Sequence, residues 1–69
     1  MKISARNQLK GKVVGIEKGA VNASVRLDIG GGNVISATIS LDALKELKLK
    51  EGKKATAIIK ATSVMVGVE

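Results

Sequence analysis

Ser4, Arg6, Asn7 and Gln8 place four hydrogen-bonding side chains within five residues, and an apolar stretch begins directly behind them at Leu9. A second group, Lys60-Ala61-Thr62-Ser63, brings an ammonium and two hydroxyls, and Ser40 ends another apolar stretch with a third hydroxyl. The small side chains of Ala5 and Ala61 leave neighbouring backbone N–H groups open to a ligand. Both groups are rich in donors and contain no Asp or Glu, which suits an anion. A fully deprotonated tetrahedral dianion can accept from every side. Phosphate at neutral pH keeps a proton that finds no acceptor in such a set, and a buried polar group left unpaired costs about 1–3 kcal/mol. Sulfate, molybdate and tungstate all qualify on this criterion, and pocket size would have to separate them.

Other chemistry is hard to assemble. The six carboxylates are scattered as Glu17, Asp28, Asp42, Glu46, Glu51 and Glu69, in no spacing known for general acid–base work. Histidine and cysteine are absent, so a Ser or Thr nucleophile lacks its usual base, and zinc and other bare cations lack a ligand cluster. The chain is therefore not expected to be an enzyme. Twelve Lys and Arg give a net charge of +6, which favours anionic partners. Phe, Tyr and Trp are missing altogether, and with them the stacking that commonly holds single-stranded bases. Gly30-Gly31-Gly32 runs into another apolar stretch, without the Gly-Lys-Ser/Thr and helix of a phosphate loop. The start of the chain has no apolar leader core, and no apolar run approaches the roughly 20 residues of a membrane span. A cytoplasmic protein is the expectation.

The elements that must position these donors follow from the pattern. Residues 8–16 read as a β-branched strand bent at Gly11 and Gly15, followed by a turn at 17–19. Val21, Ala23, Val25, Leu27 and Ile29 alternate with polar residues, the signature of a half-buried strand. The glycine run and Asn33 predict a hairpin into a third strand at 34–39, with Ile35, Ala37 and Ile39 on one face. Residues 41–47 predict a short helix with Ser40 as N-cap and Leu41, Leu44 and Leu47 on one stripe. After a charged connection, residues 55–62 predict a fourth strand and residues 63–68 a fifth, apolar on both faces at Val64, Met65 and Val66. That order predicts an all-β, five-stranded Greek-key barrel of the OB type with one helix between strands 3 and 4. Sixty-nine residues bury too little surface for two cores, so the second faces of the first and last strands are expected to meet another subunit.

Ser-Ala-Arg-Asn-Gln-Leu-Lys-Gly-Lys-Val at 4–13 resembles the opening signature of the molbindins, the small Mop-type molybdate-binding proteins. The resemblance continues through residues 19–23, the glycine turn before Asn33, Ile39-Ser40 and residues 59–62, so that residues 1–69 read as a single Mop domain. It implies an OB-type barrel, strand-exchanged dimers, three dimers in a hexamer, and molybdate or tungstate bound between subunits without an organic cofactor. Carried over, the main site would use Ser4, Ala5 and Arg6, completed by Ser40, Lys60 and Ala61, some of them from a neighbouring chain. Ser40 stands where relatives often have threonine, keeping the hydroxyl but losing a methyl. A second site on a symmetry axis would lie near Gly19, Ala20 and Asn22. The plain alternatives are a surface ion pair for Arg6, a solvated strand lysine for Lys60 and an outward polar residue for Asn22.

The expected function is oxyanion storage and homeostasis, since the chain carries no DNA-binding segment or nucleotide-binding domain beside the Mop domain. A small OB-type nucleic-acid binder is the alternative; it would use the basic surface and lose affinity steeply with salt. A structural oligomerisation module is the third reading.

Overall fold

The structure is a computed structural model that describes residues 1–69. Its elements run β1 (Asn7–Lys18), β2 (Asn22–Gly30), β3 (Asn33–Ser40), α1 (Leu41–Glu46) and β4 (Lys54–Ile59), followed by a 3₁₀ turn at Ala61–Ser63. The four strands form one antiparallel sheet in the order β3-β2-β1-β4. Alternation decides which face is buried. Ala23, Val25 and Leu27 of β2 point inward, with Ile35 and Ile39 of β3 and Ala55 and Ala57 of β4 packed around them. Because β3 and β4 line the same apolar hollow from opposite edges, the sheet is a half-barrel whose interior is open between them.

The long first strand turns this corner with a bulge. The register against β2 slips between Val13 and Gly15, leaving Val14 as the extra residue, half exposed on the outside. The slip keeps Val13 and Ile16 on the core side of a single strand. At the β2–β3 hairpin, Gly30, Gly31 and Gly32 all take positive φ, which glycine adopts without a Cβ clash. The Asp28 carboxylate accepts from the Gly30 N–H at 2.8 Å and closes that turn.

Two expectations are corrected. β4 ends at Ile59, not at 62, and residues 63–68 form no fifth strand. They leave the sheet exposed, with Met65, Val66 and Val68 more than nine-tenths accessible. The 3₁₀ turn at Ala61–Ser63 carries the chain off the end of β4, and the tail pairs with neither open edge of its own sheet. The leucine stripe of the helix is also incomplete. Leu44 is buried and Leu41 packs beside it, but Leu47 is exposed and Leu49 takes its place against the core. A smaller difference lies in β1, which continues through Glu17 and Lys18 because they pair with Ser24 and Ala23.

Two glycines of β1 are held by different neighbours. A Cβ at Gly11 would collide with the carbonyl oxygen of Asp28, which is backbone and cannot move without the strand. One at Gly15 would meet the Arg26 guanidinium, the free end of a flexible side chain. Gly11→Ala is therefore expected to destabilise the fold by about 2–3 kcal/mol and Gly15→Ala by less than about 1 kcal/mol in urea unfolding.

Candidate functional site

The donors at the two ends of the sequence converge at one end of the β1–β4 ladder. The last pair of that ladder is Asn7 with Ile59, so residues 4–6 and 60–62 splay apart just beyond it. Between them lies an open hollow of ≈ 420 Å³ lined by Ser4, Ala5, Arg6, Lys60, Ala61 and Thr62, with Ile3 and Ile58 beside them. No carboxylate lines it. Five of the six expected main-site residues are thus brought together in a single chain.

Asn7 and Gln8 have a different task from the one their types suggested. Asn7 Nδ2 donates to the Ile59 carbonyl at 3.3 Å, and Gln8 Nε2 donates to the Ala5 carbonyl at 2.9 Å. The first clips the two strands at the mouth of the hollow, and the second fixes the path of residues 4–6. On the other wall the Ser63 N–H reaches the Lys60 carbonyl at 2.9 Å and the Val64 N–H reaches that of Ala61 at 3.2 Å. This 3₁₀ turn leaves its leading N–H groups without partners inside the turn. Arg6 and Lys60 are exposed and take no part in the side-chain hydrogen bonds of the chain. Two cations, two hydroxyls and small residues around a concavity make an arrangement rich in donors for an oxyanion, with no carboxylate to accept a proton from one.

Ser40 stands elsewhere. It pairs with Asn22 at the end of the β2–β3 ladder, beside the far end of β1. The length of β1 separates it from the Ser4–Lys60 hollow, roughly 36 Å for eleven residues of extended chain. Its Oγ accepts from the Ala43 N–H at 3.0 Å and so caps α1. That bond uses a lone pair, and the hydroxyl proton remains free to donate outward.

The residues expected at the second site gather at the same end as Ser40. Gly19 and Asn22 line a smaller hollow with Lys18, Ser24 and Thr38, while Ala20 lies outside its lining. Glu17 lines it too, and its carboxylate works against an anion there. The Gly19 N–H is engaged with the Asn22 carbonyl at 2.7 Å. Thr62 is a wall residue that the carried-over site set omitted, although its hydroxyl was among the donors of the 60–63 group.

A curved antiparallel sheet with a carboxylate-free, donor-lined hollow at the mouth of one ladder defines the class: a small β domain. The TOBE domain pattern matches residues 3–66. Along its whole length the chain is 77% identical to a probable molybdenum-pterin-binding protein of Haemophilus influenzae, and the match covers 100% of both. Among solved structures, MopII of Clostridium pasteurianum in an apo form superposes with a TM-score of 0.91 at 58% identity, covering 97% of this chain and 100% of that one. The cytoplasmic molybdate-binding protein ModG, with molybdate bound, superposes with a TM-score of 0.95 at 48% identity; this chain spans 49% of its length. The chain belongs to the TOBE domain family, within its molbindin, or Mop-type, group.

The cap and the hollow are separable by stability. Ser40→Ala is expected to cost about 1 kcal/mol in urea unfolding through loss of the helix cap, whereas Lys60→Ala, which holds no side-chain bond, is expected to change stability by less than about 0.5 kcal/mol.

Proposed function

We propose that this protein binds molybdate, and tungstate with it, as a cytoplasmic store of the oxyanion, performing no chemistry on it and needing no organic cofactor. The observation that carries the reading is the hollow in which Ser4, Ala5, Arg6, Lys60 and Ala61 meet without a carboxylate. Arg6 and Lys60 supply the charge, the Ser4 hydroxyl and the exposed N–H groups supply directed donors, and Asn7 and Gln8 hold the walls. The reading is supported by relatives named as molybdenum-pterin-binding and molybdate-binding proteins, among them ModG with molybdate bound.

The hollow is open on one side, and we propose that a second copy closes it. Residues 64–69 form the missing fifth strand in the barrel of a partner, and the partner's own tail returns the exchange. Support comes from the open edges of β3 and β4, from the exposed apolar tail and from the hydrogen-bond count. The chain makes 32 backbone bonds, against the roughly 45–50 of a closed domain this size. In the dimer Ser40 of one chain completes the hollow of the other, which reconciles its place at the far end of the sheet with an anion-binding role. Three dimers form the hexamer, residues 1–69 acting as one Mop domain, and Gly19, Ala20 and Asn22 contribute a second, weaker oxyanion site on a symmetry axis. A nucleic-acid role has less support, because the chain contains no aromatic side chain to stack a base.

Calorimetric titration tests the ligand. Tight binding is expected for molybdate and tungstate, weak binding for sulfate and none for phosphate; equal affinity for all four would remove the selectivity argument. Arg6→Ala is expected to cost about 2–5 kcal/mol of molybdate binding, because it strips a charge from a desolvated anion. Ser40→Asp separates the two tasks of that residue. Aspartate caps a helix as well as serine does, so stability should hold within about 0.5 kcal/mol. Its charge facing a dianion should abolish binding, and unchanged affinity would leave Ser40 as a cap alone. Deleting residues 64–69 is expected to yield monomers in sedimentation.

A further inference from the structure

The groove beneath α1 carries a feature that oxyanion storage does not use. Ile16, Leu41, Leu44 and Leu49 form its apolar floor, and Lys18, Lys45, Lys48 and Lys50 line it, against only Asp42 and Glu51. These lysines could simply neutralise the negative C-terminal end of the helix. That task already belongs to Lys53, whose ammonium donates to the Leu47 carbonyl at 2.7 Å and the Lys48 carbonyl at 3.2 Å. The four groove lysines enter none of the side-chain hydrogen bonds and stand free.

Lys48 is the telling member. The Leu49 N–H bonds the Leu44 carbonyl at 3.2 Å and the Lys48 N–H bonds that of Lys45 at 3.0 Å, which is a Schellman closure of the helix. In that motif the residue after the C-cap takes the left-handed conformation, and glycine is preferred there because it has no Cβ to strain. Here the position is held by Lys48 at φ 52°, the one non-glycine residue of the chain with positive φ. The fold keeps a cation where backbone physics favours glycine. Strain retained at one residue is commonly found where that side chain serves a function.

We propose that this groove docks an acidic segment of another protein, its carboxylates on the four lysines and an apolar side chain on the floor. Charge complementarity selects that occupant: the apolar floor has no counterpart in a phosphate backbone, and the cationic rim repels basic partners. This rests on the proposed function: a protein handing over or receiving the stored anion would dock at the Ser40 end of the sheet, on residues distinct from the Ser4–Lys60 hollow of the same chain.

The test is fluorescence anisotropy of the oligomer with a labelled Glu-rich peptide carrying one central Leu, with mixed-sequence duplex DNA in parallel. Saturable peptide binding is expected, falling about tenfold in Lys45→Glu/Lys50→Glu and staying within about twofold in the control Lys10→Glu/Lys12→Glu. Lys48→Gly provides a readout that a structural lysine would not give. It should raise Tm by about 3–6 °C by relieving the backbone while weakening the peptide several-fold. Equal losses in the two double variants, no saturable binding, DNA bound as tightly as the peptide, or a Lys48→Gly protein that binds the peptide unchanged would each overturn the proposal.

Discussion

A row of backbone N–H and C=O groups along the edge of a sheet must find partners or stay in water, and this fold depends on how that demand is met. The sheet curls until β3 and β4 flank one apolar hollow, yet it has too few strands to join them. Unpaired edges beside an apolar interior invite another strand. The chain ends in a stretch, 64–68, that is apolar, exposed and of strand composition. The bulge at Val14 and the glycines at 11 and 15 lie in β1, between the two edge strands, so a few residues of β1 shape the half-barrel and the gap between its edges.

The same geometry explains why the donors lie where they do. Residues 4–6 and 60–62 flank the last pair of one ladder, the point where two strands must separate and their N–H groups lose their ladder partners. An anion placed there meets donors that the sheet itself cannot satisfy. Asn7 and Gln8 convert that frayed end into a fixed mouth, each with a single side-chain bond to a backbone carbonyl. Selectivity then rests on what the hollow lacks. With no carboxylate on its walls, a ligand that must donate a proton is at a disadvantage.

Much of this was legible in the residues themselves. Period-two alternation located β2 and β3 closely, Ser40 announced its helix, and the Ser4–Gln8 cluster marked one wall of the hollow. Shared donor chemistry grouped that wall with Lys60 and Ala61, and the family resemblance then implied that they form one site, although fifty-odd residues separate them. Other features were hidden for identifiable reasons. Apolar residues on both faces of 63–68 signal burial without saying in which chain, and in one chain alone they stay exposed. Spacing of three put Leu47 on the helix stripe, but the helix closes at that residue and Leu49 turns back to the core instead. Asn7 and Gln8 looked like ligand donors because a side-chain amide suits a backbone carbonyl as well as an anion.

The central claim is that each anion-binding hollow is shared between two chains, Arg6 coming from one and Ser40 from the other. Subunit complementation measures this directly. Arg6→Ala and Ser40→Asp chains would each be purified alone, then unfolded and refolded together in equal amounts, with molybdate capacity determined by equilibrium dialysis. Each variant alone should bind poorly. In a mixed dimer one hollow carries both lesions and the other carries neither, so the mixture should recover about a quarter of the wild-type capacity at wild-type affinity. If the mixture binds no more than the separate variants, the two residues do not meet across a subunit boundary and the shared site is wrong.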